Sequence, residues 1–407
     1  MVGAGAALVP AMRLFNTLGG RLEEFISASK EVSLYVCGVT PYDTTHVGHA
    51  RTYLVFDVLI RHLMSKGLRV HYIQNVTDVD DSIVARAAKL NEPYDELGER
   101  YTGIYMEDVA ALGMIPARAY PRATQAIPEM QELIRRLLAT GRAYRMDGDV
   151  FMSIADLSTY GELSGLDRAR MISVEAQQDG STVGDNRKRD PLDLLLWRRI
   201  DDSDPRWESP WGPGRPGWHI ECSTLAIKHL GRQIDIHGGG GDLVFPHHEA
   251  EIAQSEAVTG VRPFVRFWVH VAMVHLGGQK MSKSDGNMVF VRDLLQRYPA
   301  DALRLYLMSA HYRSVFDFEE GVLRSWAGVA SELSQAAHLP AERGRSDEMD
   351  PDPSQRRFDH VLDSDLDTPS AIAVLSELAA GVGGSKSHRA QRLLRRLAAR
   401  LGLSLEA

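Results

Sequence analysis

Cysteine is nearly absent: the 407-residue chain holds two, Cys37 and Cys222. So few thiols exclude a disulfide scaffold and fit a reducing cytoplasm. No apolar run reaches the roughly 20 residues that a membrane-spanning helix needs. The opening "MVGAGAALVPAM" is small and apolar but has no basic segment ahead of it, which argues against a secretory signal. Residues 1–12 are therefore expected to be an extension, with Met12 as an alternative start. Positive charge is also in short supply. Lys and Arg number 46 against 54 Asp and Glu, a net charge of −8. The surface as a whole is not that of a nonspecific polyanion binder, although a local basic patch can still make a specific RNA contact. No internal repeat is evident.

What is present describes a globular protein. Hydrophobic residues make up 44% and charged residues 25%, enough to bury a large core. The length suggests two to four domains. "VSLYVCGVTPYD" starts as a short apolar strand that breaks at Gly38 and Pro41. "HVGHARTYLVFDVLIRHLMSKG" carries apolar residues at helical spacing up to a glycine stop. "LRVHYIQNVTDVDD" reads as a second strand. Strand, helix and strand at this spacing make a βαβ unit and imply a parallel sheet covered by helices. Residues 82–145 look helical, and 146–215 form an irregular insertion with short strands such as "DVFMSI". The βα pattern resumes in "WHIECSTLAIKHLG", "QIDIHGGGGDLVF" and "FVRFWVHVAMVHLGG", and the remainder is mostly helical. Near the end, Arg389, Arg392, Arg396 and Arg400 recur beside leucines. They suit the solvated face of a bundle helix at least as well as an RNA contact.

Three constellations carry chemistry. His46-Val47-Gly48-His49 falls at the first strand-to-helix turn, a ligand crevice in open α/β sheets. The helix start offers N–H groups to phosphate, Gly48 leaves room for a nucleotide, and both histidines can donate to phosphate oxygens. Lys280-Met281-Ser282-Lys283-Ser284 puts two ammonium groups and two hydroxyls in one loop, suited to a departing pyrophosphate. "FPHHEAEIAQSEA" is expected to be helical from Pro246. His247 and Glu251, four apart, then share a face, while His248 and Glu249 point elsewhere. Both cysteines are placed at strand ends on the same rim of the sheet, so Cys37, Cys222, His247 and Glu251 could make four zinc ligands. Spacing alone does not choose zinc over two buried free thiols, the usual fate of cytosolic cysteines.

HVGH and KMSKS in this order resemble the class I aminoacyl-tRNA synthetases. "YVCGVTPYDTTHVGHARTYLVFD", "QNVTDVDDSI", "GRPGWHIECS", "DIHGGGGDLVFPHHEAEIAQSEA" and "KMSKSDGN" resemble the cysteinyl-tRNA synthetase family, from about Arg13 to about residue 380. The resemblance implies an α/β fold: a Rossmann-like parallel sheet split by a connective insertion, then a C-terminal α-helical bundle. It divides the chain into an extension (1–12), first catalytic half (13–120), insertion (121–215), second catalytic half (216–278), KMSKS loop and stem-contact region (279–320) and helical bundle (321–407). It implies one Zn2+ on Cys37, Cys222, His247 and Glu251, holding the thiolate of the substrate. It implies L-cysteine bound near Thr77, Trp218, His237 and Asp242. ATP with Mg2+ is implied at Gly38, His46, Gly48, His49, Lys280, Ser282 and Lys283, of which His46, His49, Lys280 and Lys283 would be catalytic. The implied partner is tRNA(Cys), and the implied protein is a cytoplasmic monomer with no membrane association. A soft thiolate binds zinc where the hydroxyl of serine does not, so no editing domain would be needed.

Two departures stand out. HVGH has valine where isoleucine or leucine is usual, which keeps the shape. The chain also ends soon after "RFDHVLDSDLDTPSAIAVLSELA", short of the anticodon-binding domain usual in that family. This raises a rival, a cysteine ligase of mycothiol synthesis that acts on an amino-sugar and shares fold, ATP and zinc. Glu251 and the "DIHGGG" to "EAEIAQSEA" block favour the synthetase. A non-catalytic paralogue has no need of both intact motifs, and a small nucleotidyltransferase needs neither zinc ligands nor KMSKS.

Overall fold

The structure, a computed structural model, describes residues 12–406 apart from 28, 179, 203–204, 282–285, 341–351 and 386. Most of the proposed extension therefore lies outside the described residues, as do Ser282, Lys283 and Ser284. Met12 opens strand β1 (Met12–Asn16), which forms a hairpin with β2 (Arg21–Phe25). Strand β3 (Glu31–Val39), helix α1 (Val47–Ser65) and strand β4 (Arg69–Val76) form the βαβ unit, the strands parallel. Residues 34–37 of β3 are buried without interruption, as expected for a strand covered on both faces.

The stretch expected to be helical from 82 to 145 is helical in three pieces, α2 (Asp81–Leu90), α3 (Tyr94–Ala111) and α4 (Ile127–Ala139). Its last residues instead open β5 (Ala143–Met146), paired antiparallel with β6 (Asp149–Met152). After α5 (Arg168–Glu175), β7 (Leu194–Arg199) and β8 (Gly214–Pro216) complete an antiparallel sheet in simple order. The irregular insertion thus has a sheet of its own.

Helix α6 (Trp218–Leu230), β9 (Ile234–Gly240), α7 (Glu249–Thr259) and β10 (Val265–Val271) return the chain to the parallel sheet, whose order is β10-β9-β3-β4. From β3 the chain moves one way to β4, and from β9 the other way to β10. The crevice beyond the carboxyl ends of β3 and β9 is therefore the topological switch point, where open α/β sheets hold ligands.

A small sheet follows, of β11 (Val274–Leu276), β12 (Gln279–Lys280) and β13 (Phe316–Asp317), with α8 (Val291–Leu295) and α9 (Ala300–Leu307) between its strands. Helices α10 (Glu320–His338), α11 (Asp352–Asp363), α12 (Thr368–Ser385) and α13 (His388–Arg400) form the C-terminal bundle. On α13 the apolar residues Leu393, Leu394 and Leu397 are buried. Arg389 meets Asp352 at 2.9 Å, Arg400 pairs with Asp359, and Arg396 meets Gln355. Three of the four arginines singled out in the sequence thus make contacts within the bundle. The bundle is also tied to strand β1 and to the segment after α9. Asp365 accepts from Phe15 N–H (2.7 Å), Tyr312 O–H (2.6 Å) and Arg313 Nε (2.7 Å).

Candidate active site and metal centre

Cys37 comes from β3, as expected, but Cys222 does not lie at a strand end. It sits on α6, one turn from the helix start at Trp218. The segment "WHIEC" is a helix because its partly apolar pattern extends into "STLAIKHL", too long and too well furnished with helix formers for a strand. Nor is the chain regularly helical from Pro246. Phe245 is extended, Val244–His248 forms a wide turn, and the α-helix proper starts at Glu249.

The consequence is a tight buried cluster. Cys37 Sγ lies 3.7 Å from Cys222 Sγ and 3.6 Å from Glu251 Oε1. His247 Nε2 lies 3.3 Å from the same oxygen. All four residues are at most 6% exposed, and their ligand atoms lie within 4.8 Å of one another. Tetrahedral zinc would separate two thiolates by about 3.8 Å, a thiolate and a carboxylate oxygen by about 3.5 Å, and an imidazole nitrogen and that oxygen by about 3.3 Å. The observed edges match.

The electrostatics point the same way. Burial, with Cys222 and Glu251 alongside, pushes the Cys37 thiol well above its ordinary value. Burial also drives His247 and His248 well below theirs, so both are neutral with lone pairs to offer. A divalent cation beside the Cys37 thiol would reverse that penalty.

Of the surrounding histidines, sequence reasoning named only His237, as implied near the substrate, and missed His219, His248 and His270. His248 does not point elsewhere: its Nε2 lies 3.3 Å from Cys37 Sγ, and its Nδ1 lies 2.7 Å from His270 Nε2. Cys37, His237, His248 and Glu251 form a second ligand-like group. His237, on β9, is fully buried, with Nε2 at 3.0 Å from Glu251 Oε2. His219 Nδ1 meets His247 Nδ1 at 2.9 Å, and burial holds His219 down to about 4. The signal for His219 was its place three residues before Cys222, on the same helix face.

Of the other expected pocket residues, Trp218 stacks on His247 with ring centroids 4.4 Å apart. Thr77 is buried just past β4, its N–H bonded to Val39 O at 3.0 Å. Asp242 is exposed at the end of β9.

The HVGH turn is built differently from expectation. The first amides of α1 do not point outward to a phosphate. His46 folds back as the helix cap, and its Nδ1 accepts from Gly48 N–H (3.1 Å) and His49 N–H (3.4 Å). Val47 N–H goes to Val289 O at 2.9 Å. A Cβ on Gly48 would lie 2.9 Å from the His46 ring, so glycine permits this fold-back. An accepting Nδ1 carries no proton, which leaves His46 as a neutral Nε2–H donor. The His46 and His49 rings stack at 3.7 Å. Gly38 is required for packing: a Cβ there would fall 1.7 Å from Asn75 O on β4. Lys280 ends β12, while Ser282 and Lys283 lie outside the described residues.

The tRNA synthetases class I (C) catalytic domain matches residues 24–327, more than half of the chain. A Cysteine--tRNA ligase of Dehalococcoides mccartyi is 43% identical over 402 residues, covering 97% of this chain and 87% of the relative. One from Synechococcus elongatus is 45% identical over 379 residues, covering 90% and 78%. The chain belongs to the cysteine--tRNA ligase family. Its fold is shared more widely among class I synthetases. A Mycobacterium tuberculosis methionyl-tRNA synthetase, solved with methionyl-adenylate, superposes with a TM-score of 0.65 at 18% identity, over 93% of this chain and 88% of that one. An Agrobacterium radiobacter LeuRS, solved as a ternary complex, gives 0.63 at 13% identity, over 93% and 85%. Among the described residues no helix is long and apolar enough to cross a membrane.

Proposed function

We propose that this protein activates L-cysteine with ATP and transfers it to the 3′ end of tRNA(Cys). The observation that carries the reading is the buried Cys37, Cys222, His247 and Glu251 set, spaced as tetrahedral zinc requires. The second ligand-like group is less suited to the metal. His237 stands at hydrogen-bond length from Glu251 Oε2, so it would hold the carboxylate and leave Oε1 as the oxygen available to a metal. His219 does the same for His247. When bound, zinc supplies a soft Lewis-acid position that takes a thiolate in preference to a hydroxyl, which is how serine is rejected.

The remaining work falls to side chains. Trp218, fixed by its stack on His247, walls the cysteine pocket. Thr77 and Asp242 provide an acceptor oxygen and a carboxylate for the substrate ammonium group. A cysteine carboxylate oxygen attacks the α-phosphorus of ATP, the α–β bond breaks, and pyrophosphate leaves. His46 donates from Nε2 to the charge that grows on the phosphates, with His49 stacked against it. Lys280 and Lys283 hold the departing pyrophosphate, and Mg2+ accompanies ATP.

Cysteine-dependent exchange of pyrophosphate into ATP tests the first step. Exchange with cysteine and none with serine supports the reading; no exchange with cysteine overturns it. Charging of tRNA(Cys), run beside coupling to an amino-sugar, then decides the acceptor.

A further inference from the structure

Strand β3 sends alternate residues to opposite faces of the sheet. Leu34 and Val36 enter the core shared with α1, whereas Tyr35 and Cys37 enter the core that also holds Cys222. Tyr35 is fully buried, and its ring packs against that of His237 with centroids 4.9 Å apart. Its hydroxyl is buried too and meets no hydrogen-bond partner. The ionisable groups it faces are Cys222 first, then Cys37 and Glu251.

A buried hydroxyl without an acceptor is costly, so each one asks for an explanation. Two of the three groups it faces are already engaged. Cys37 Sγ has His248 Nε2 at 3.3 Å, and Glu251 has His247 at one oxygen and His237 at the other. Cys222 Sγ meets only Cys37 Sγ among the described residues. A neutral thiol accepts hydrogen bonds weakly, so beside it a phenol O–H idles. A thiolate on a metal is charged, and charged acceptors make the stronger hydrogen bonds. The phenol of Tyr35 is thus a donor set beside a sulfur that becomes a good acceptor once it ligates.

We propose that Tyr35 donates a hydrogen bond to the ligating sulfur of Cys222 and thereby tunes the metal centre. Tyr35 is a positioning residue: it acts through Cys222 and touches no reacting atom. The proposal rests on the metal reading given above and extends it. A hydrogen bond to the ligand sulfur draws charge off the thiolate, which strengthens the pull of the metal on a further thiolate.

The test is Tyr35→Phe in the full chain, which removes one oxygen and keeps the ring. Without metal the variant should melt no lower than wild type, because it has lost only an idle buried hydroxyl. Its zinc affinity, measured by chelator competition, should fall about tenfold. The metal-loaded variant should therefore melt below metal-loaded wild type. With Co2+ in place of zinc, the sulfur-to-metal absorption band should move to longer wavelength, since the thiolate keeps more of its charge. Cobalt binding by the wild-type chain, measured first, tests the metal reading separately: no sulfur band there would overturn that reading and this proposal with it. Where the band is present, an equal loss of Tm in both forms would give Tyr35 a partner independent of the metal and overturn the proposal alone. Unchanged zinc affinity, or an unmoved band, would do the same. A structure of the metal-loaded chain should place Tyr35 Oη within hydrogen-bond reach of Cys222 Sγ; Oη directed to Cys37 or Glu251 instead would overturn the assignment.

Discussion

Glu251 faces two ways. One oxygen lies with Cys37 and His247, the other with His237. His247 is likewise held from behind by His219. Neighbours that orient a ligand typically contribute 10- to 100-fold in metal affinity. We therefore expect His219→Ala and His237→Ala each to weaken zinc binding by about that factor, measured by competition with a chromogenic chelator. Affinity equal to wild type in both variants would remove these histidines from the metal centre. Two cysteines in 407 residues, with a histidine and a glutamate four apart, make the four proposed ligands candidates, but spacing does not choose zinc; the family resemblance implies it. Most of their neighbours do not stand out. His219, His248 and His270 acquire a role only when α6, α7 and β10 pack together; of the three, only His219 carries a local mark, its place three residues before Cys222.

At the scale of elements, Gly38 sets how closely β3 can approach β4. The carbonyl of Asn75 occupies the space a side chain would need. Gly38→Ala must push the strands apart beside Cys37, at a cost of at least about 1–3 kcal/mol. Urea unfolding should show that loss, accompanied by weaker zinc binding; a variant as stable as wild type would contradict the packing argument. The element boundaries themselves were partly legible. The βαβ unit followed from periodicity and a glycine stop, whereas "WHIEC" was misassigned because a short, partly apolar run fits either strand or helix.

Helix α9 carries a second test at this scale. Arg304 is fully buried and pairs with Asp57 of α1, while donating to Leu112 O (2.8 Å) and Leu401 O (2.6 Å). Burial alone would raise the Asp57 carboxyl, but Arg304 and Arg61 hold it below its ordinary value. A depressed carboxyl contributes stability above its unfolded pKa of about 4 and loses it as pH falls through the folded value. Arg304→Met should cost about 3–5 kcal/mol at pH 7 by leaving Asp57 unpaired. The deficit against wild type should shrink as pH drops below about 4. A deficit independent of pH would show that the ion pair is not its source.

For the whole molecule, the proposed metal centre joins two halves of the sheet. Cys37 comes from the first half of the sheet, and Cys222, His247 and Glu251 come from the second, after the inserted antiparallel sheet. Holding these together favours the folded state by mass action. Stripping the metal with a chelator should lower Tm by about 5–10 °C, and added zinc should restore it. An unchanged Tm would mean that the joint holds without metal.

The most direct test is zinc K-edge X-ray absorption on the purified protein, with and without amino acid. The metal should show two sulfurs at about 2.3 Å and two lighter atoms at about 2.0–2.1 Å. Adding cysteine should raise the sulfur count to three, and adding serine should leave it at two. A zinc shell without sulfur, or one that cysteine does not change, would contradict recognition of the substrate by its thiolate.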